Sequence, residues 1–127
     1  MDRRRSSIII VDDDPVIRKI LHRKLSNLGI NEDDIKEVQD GDELTTPRPG
    51  DLLIMDNNME RVNGIQATQK IRKKSDDATI IAHSTTNEDD KQEWLDAGVD
   101  GFLPKKSNTQ DIKKIIDFWE HRNTIRD

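Results

Sequence analysis

No cysteine occurs among the 127 residues. That excludes a disulfide framework, a thiolate zinc site and a cysteine nucleophile, and it fits a reducing compartment. Tyrosine is absent too, and only two tryptophans and two phenylalanines are present. Apolar residues make up 31% against 37% charged, so the core must be small and built from Ile, Leu and Val. Long hydrophobic runs are missing: stretches such as Ile8 to Val11 are far too short for a membrane span or a signal-peptide core. Positive charge is scarce relative to negative, with a formal net charge of -5. One short basic tract, Arg3, Arg4 and Arg5, reads as a solvated end, and no broad basic face suggests nucleic-acid binding. The expectation is a cytoplasmic protein of one domain, residues 1–127, with a flexible tail at 1–6 and neither membrane nor nucleic acid as partner.

What is present alternates regularly. Ile8 to Val11 is a β-branched run ending in acids, the pattern of a buried strand. Asp14-Pro15 opens a helix, Asp as N-cap and Pro at the first helical position. Ile17, Ile20, Leu21, Leu25 and Leu28 supply its apolar stripe, and Gly29 stops it. Further strands are expected at 35–39, 52–55, 79–84 and 99–103, and helices at 65–73, 87–97 and 111–121. A turn is expected at Ser75-Asp76-Asp77. Between Asp42 and Gly50, Pro47 and Pro49 leave room for one helical turn at most, around 42–45. Alternating strands and helices imply a parallel sheet covered on both faces. Right-handed crossovers then bring every strand's carboxyl end to one edge, where open α/β sheets bind ligands.

Five chemistry-bearing residues converge on that edge: Asp12 and Asp13 after the first strand, Asp56 after the third, Ser84 ending the fourth and Lys105 after the fifth. Clustered carboxylates repel and raise one another's pKa. A hard cation relieves this, and an oxygen-only set suits Mg²⁺ or Mn²⁺ rather than zinc. Cation, lysine and hydroxyl together match phosphoryl transfer, with one carboxylate as nucleophile. Asp14 is assigned to capping alone.

At these residues the sequence resembles the receiver domain of two-component response regulators. The pieces are Ile-Ile-Val-Asp12-Asp13-Asp14-Pro15, Leu-Ile-Met-Asp56-Asn57-Asn58-Met59 with Asn63-Gly64, Ile-Ile-Ala-His83-Ser84, and Ala97-Gly98 through Gly101-Phe102-Leu103-Pro104-Lys105. In length it is similar to a stand-alone, chemotaxis-type regulator. The resemblance implies a flavodoxin-like, doubly wound, five-stranded parallel sheet of order 2-1-3-4-5, here with a shortened second helix. It implies Asp56 as phosphoacceptor, Mg²⁺ bound by Asp12, Asp13, Asp56 and the backbone carbonyl of Asn58, Ser84 as switch hydroxyl and Lys105 as phosphoryl partner. Phe102 becomes the switch aromatic. The implied partners are a histidine kinase or a histidine phosphotransfer protein. A downstream protein or second copy would bind through the 87–97 helix, the fifth strand and the last helix. The chain would be no enzyme beyond phosphotransfer and dephosphorylation at its own aspartate.

Several positions depart from the family pattern. Lys106 stands where Pro usually follows the lysine, Pro104 precedes it, and Glu60 replaces a common Pro. The near-absent second helix should leave one flank of the sheet thinly covered, and the loop after Ser84 is one residue short. A pseudo-receiver scaffold is one alternative. A small haloacid-dehalogenase-type phosphatase is another, suggested by the Asp-x-Asp after the first strand. The strand order of the remaining acids and the lack of a cap domain argue against it. His83, beside Ser84, should face the other side of the sheet as a satisfied core histidine. His22 and His121 have no assigned role, and Trp94 and Trp119 read as core.

Overall fold

The computed structural model describes residues 6–74, 77–85 and 88–126. The Arg3–Arg5 tract, nearly all of the 1–6 tail, Ser75 and Asp76 of the expected turn, and part of the loop after Ser84 lie outside the described residues. The elements run β1 (Ile8–Val11), α1 (Pro15–Asn27), β2 (Ile35–Val38), β3 (Leu52–Met55), α2 (Gly64–Lys74), β4 (Thr79–Ser84), α3 (Glu88–Ala97), β5 (Gly101–Pro104) and α4 (Thr109–Arg126). All strands are parallel, in the order β2-β1-β3-β4-β5. This is the expected flavodoxin-like sheet.

Side-chain alternation along the strands divides the core in two. On one face Ile8, Ile10, Leu52, Ile54 and Leu103 meet Leu21 and Leu25 of α1 and Ile112, Ile116 and Trp119 of α4. On the other, Val11, Leu53, Met55 and Ile80 meet Ala67 and Ile71 of α2 and Trp94 of α3. Both tryptophans are core residues, and the Trp119 indole N–H donates to the Gly50 carbonyl at 2.6 Å.

The Asp14 side chain accepts the Val16 N–H at 2.9 Å, so α1 starts as its cap predicts. Ile20 does not belong to the buried stripe. It is 45% exposed, because it lies roughly a quarter turn from the line through Ile17, Leu21 and Leu25. β5 begins at Gly101 rather than Val99, whose N–H closes α3 on the Trp94 carbonyl, and it continues through Pro104. A proline is accommodated there because β5 is an edge strand. α4 is longer than expected at both ends. Asn108 and Asp111 cap it reciprocally, each side chain accepting the other's backbone N–H, and Asn123 docks its last turns on the Gly50 carbonyl at 3.0 Å.

Only a 3-10 turn, Gly41–Glu43, occupies the second crossover. The following run to Pro49 has no helix, and a cavity of about 100 Å³ separates it from α2, lined by Leu44, Thr45, Thr46 and Lys70 among others. The flank is thin, as the sequence predicts. At the amino end of the sheet, Asp51 accepts the Ser7 and Arg48 N–H groups, both at 2.9 Å. One oxygen of Asp100 gathers Arg72 at 2.8 Å, Arg122 at 3.0 Å and the Ile80 N–H at 2.9 Å.

His22 has a role that its helix position concealed. Its Nδ1 lies 2.8 Å from Glu37 and its Nε2 3.1 Å from Glu32, joining α1 to β2 and the turn before it. Burial opposes the charged ring, but hydrogen bonds to Glu37 and Glu32 outweigh it and hold its pKa above the ordinary 6.5. Stability from this triad is complete below the unfolded pKa and is lost as pH rises through the folded one. The stability difference between wild type and His22→Gln should therefore shrink as pH is raised through that range, read from urea midpoints.

Gly64 begins α2 where a Cβ would lie 2.2 Å from the Asp56 carbonyl oxygen and 2.5 Å from the Trp94 ring. Gly64→Ala forces a shift of backbone or ring and should destabilise by about 1–3 kcal/mol, the usual cost of overpacking. Equilibrium urea unfolding measures it.

Candidate functional site

The carboxyl edge of the sheet holds the site because each ladder carries its acid there. The Asp12 N–H bonds to the Val38 carbonyl at 3.0 Å and the Asp56 N–H to the Val11 carbonyl at 2.9 Å, so both acids extend the paired strands by one residue. Asp12 and Asp56 are buried, while Asp13 points to solvent. Oxygens of the three come within 4.8 Å of one another.

Lys105 arrives from the loop after β5. Its Nζ lies 3.0 Å from Asp12 Oδ2 and 3.0 Å from Asp56 Oδ1. Lys106 in place of proline does not keep the lysine from the pocket, and no cis peptide bond occurs among the described residues. Burial pushes the Asp56 carboxyl up; the Lys105 ammonium opposes this and the Asp12 charge adds to it. Burial disfavours the Lys105 ammonium, yet the Asp56 and Asp12 carboxylates outweigh it and raise its pKa. Asp12 and Asp56 share this one ammonium, and Asp13 adds a third carboxylate beside them. The donor set is all oxygen and carries surplus negative charge, which is what a hard divalent cation requires.

Asn58 is exposed on the loop after β3. Ser84 ends β4 opposite Pro104, half-buried. Phe102 pairs with Ala82, packs on the α2–α3 side of the sheet and lies diagonally from Ser84. The Lys91 ammonium stands 5.7 Å from its ring centroid. The structure thus brings Asp12, Asp13, Asp56 and Lys105 together, with Ser84 on the neighbouring strand end and Phe102 further along β5.

His83 is buried on the opposite face from Ser84, but it is not a satisfied core histidine. Its Nδ1 has no hydrogen-bond partner. Burial, reinforced by the Lys105 charge, depresses its pKa to about 4, so the ring is neutral near pH 7. Two supporting residues escaped the sequence reading. Arg18 donates to the Asp12 carbonyl at 2.6 Å and pairs with Glu37 at 3.3 Å. Asp40 binds backbone N–H groups of the loop after Asp56. The only sequence trace of the second was the Asp40-Gly41 turn pair.

Comparison with known proteins agrees with this geometry. The family model described as response regulator receiver domain matches residues 8–117. The two-component response regulator 24 of Arabidopsis thaliana is 32% identical over 110 residues, 84% of this chain and 79% of that protein. The autoinducer 1 sensor kinase/phosphatase LuxN of Vibrio campbellii is 27% identical over 118 residues, 93% of this chain, which spans only 14% of that protein. Among solved structures, the chemotaxis protein CheY4 of Vibrio cholerae superposes with a TM-score of 0.74 at 23% identity, covering 90% of this chain and 98% of that one. Receiver domains bind Mg²⁺ through acidic residues and act in phosphorelay signalling with histidine kinases or phosphotransfer proteins. Among the described residues no helix is long and apolar enough to cross a membrane. Matched over most of its length and carrying its acids and lysine on one sheet edge, the chain belongs to the response regulator receiver domain family.

Proposed function

We propose that residues 1–127 form one receiver domain that works as a phosphorylation-dependent switch or relay intermediate, taking a phosphoryl group from a phosphohistidine donor onto Asp56. The observation that carries this reading is the Lys105 ammonium, 3.0 Å from both Asp12 and Asp56, at the mouth opened by Asp13. The Asp56 carboxylate attacks phosphorus; the new P–O bond forms as the P–N bond breaks, and the imidazole leaves. Asp12, Asp13, Asp56 and the Asn58 backbone carbonyl would hold Mg²⁺ or Mn²⁺, which when bound neutralises oxygens of the transferring group. Lys105 pairs with a phosphoryl oxygen. Turnover is limited to hydrolysis of the chain's own acyl phosphate.

Modification adds negative charge and strong acceptors beside Lys105. The Ser84 hydroxyl then turns toward a phosphoryl oxygen, and Phe102, diagonal to it on the same face, takes the space behind. The surface of α3, β5 and α4 changes shape as a result. Leu95, 51% exposed, and Phe118, 41% exposed, give it apolar contacts, and Lys113 and Lys114 give it charge for a downstream protein or a second copy. A partner shifts the balance only by binding the two states differently.

Treatment with Mg²⁺ and a small phosphodonor should place one base-labile phosphate on Asp56, and none on Asp56→Asn or in excess chelator. Asp13→Asn should raise the Mg²⁺ requirement by at least about tenfold, a cost seen even for outer-shell partners of metal sites. Steady release of free phosphate over many turnovers would instead support a phosphatase. No incorporation at all would support a scaffold.

Mg²⁺ at a hundred times its Kd should stabilise the fold by about 2.7 kcal/mol, through linkage. Asp13→Ala should abolish the rise in melting temperature; a rise that persists places the ion elsewhere.

Ser84→Ala should leave Asp56 modifiable while removing the response of the output face. Amide shifts recorded with beryllofluoride and Mg²⁺ check this. In wild type they should extend from Asp90 to Trp119, and in the variant they should stay near Asp56. Shifts confined to the pocket in wild type would overturn the switch.

A further inference from the structure

We infer that Asp40 is a positioning residue for this site, holding the loop between β3 and α2 by its backbone; the inference rests on the reading of Asp56 as phosphoacceptor. Asp40 is only 6% exposed at the carboxyl end of β2, and both its oxygens are engaged. Oδ2 accepts the Arg61 N–H at 2.9 Å. Oδ1 accepts the Val62 N–H at 2.9 Å and the Asp42 N–H at 3.2 Å. A turn cap needs only the last of these bonds. The other two reach 21 and 22 residues along the chain, into the segment that leaves Asp56.

That segment has a second anchor. The Asn57 side-chain oxygen accepts the Ile65 N–H at 3.3 Å, and its carbonyl accepts the Met59 N–H at 3.0 Å and the Gly64 N–H at 3.3 Å. Between the two anchors lie only Asn58, Met59 and Glu60. Asn58 is the residue whose backbone carbonyl the proposed site offers to the cation. Asp40 therefore fixes the far end of the short span that carries this carbonyl.

Gly41 gives independent support. A Cβ there would stand 2.6 Å from the Val62 carbonyl oxygen, so the β2 turn and the loop touch backbone to backbone. The Arg61 guanidinium adds a 3.1 Å contact to Asp42. The chemistry of the clamp calls for a carboxylate. Two oxygens receive three N–H groups, whereas an amide offers one oxygen and turns an NH₂ group toward a donor. Asp40→Asn keeps the shape and breaks at least one bond.

Asp51→Asn is the matched control. Asp51 is also a buried carboxylate holding two backbone N–H groups, those of Ser7 and Arg48, but at the amino end of the sheet. In metal-free protein, Asp40→Asn should speed amide hydrogen exchange from Asn58 to Val62, and Asp51→Asn should not. With a small phosphodonor, Asp40→Asn should shift the Mg²⁺ midpoint upward by roughly tenfold, the size of effect expected for a supporting residue. Asp51→Asn should lower the melting temperature yet leave that midpoint unchanged. Unaltered exchange and an unaltered midpoint in Asp40→Asn, beside a normally phosphorylated wild type, overturn the role of Asp40 alone. Equal shifts in Asp51→Asn overturn it as general destabilisation. A wild-type protein that gains no phosphate overturns the phosphoacceptor reading, and the role of Asp40 with it.

Discussion

Parallel strands can be joined only by crossovers, and that constraint organises everything else in this molecule. Each crossover returns the chain to the amino end of the sheet, so all five carboxyl ends share one edge. Strands β1 and β3 are apolar throughout and buried on both faces, and β4 is apolar from Ile80 to Ala82, between the buried Thr79 and His83. At β1 and β3 the polar chemistry sits on the first residue beyond the strand. Asp12 and Asp56 occupy those positions and inherit the burial of the ladders they extend.

Burial makes the charges expensive and therefore coupled. Asp56 is driven toward its neutral form by desolvation and by Asp12, and Lys105 opposes both. The lysine comes from the far end of the chain and meets an acid 93 residues away at 3.0 Å. A single ammonium among three carboxylates leaves the edge electronegative, open through Asp13 and receptive to a hard cation. The amino edge shows the opposite arrangement. There Asp51 is satisfied by backbone N–H groups and Asp100 by Arg72 and Arg122, so the acids seal the fold.

The second crossover is the exception to the regular alternation. With a 3-10 turn in place of a helix, its flank is covered by an irregular run and a shallow cavity. The turn is instead tied to the neighbouring loop through Asp40 and Gly41. The missing helix thus leaves the carboxyl edge intact, because the contacts that shape this edge run between loops rather than through the helix.

The strands and the acids at their ends were legible in the sequence, since apolar runs bounded by Asp, Gly and Pro can be read locally. Thr79–Ser84 and Leu52–Met55 fall where the pattern puts them. Ile20 misled because hydrophobicity alone does not say which side of a helix stripe is covered. β5 and α4 differed at their ends because an edge position and a reciprocal cap decide those boundaries. His22, His83 and Asp40 were illegible for a common reason: what each does depends on groups brought near only by folding. His22 gains Glu32 and Glu37, Asp40 gains two distant amides, and His83 gains no partner for Nδ1. The sequence by itself determined the order of elements and the identity of the acids, hydroxyl and lysine at the edge, because those follow from local pattern and crossover handedness. Only the tertiary structure decided how Lys105 divides itself between Asp12 and Asp56 and what holds the loop beside them, because both rest on distances between residues far apart in the chain.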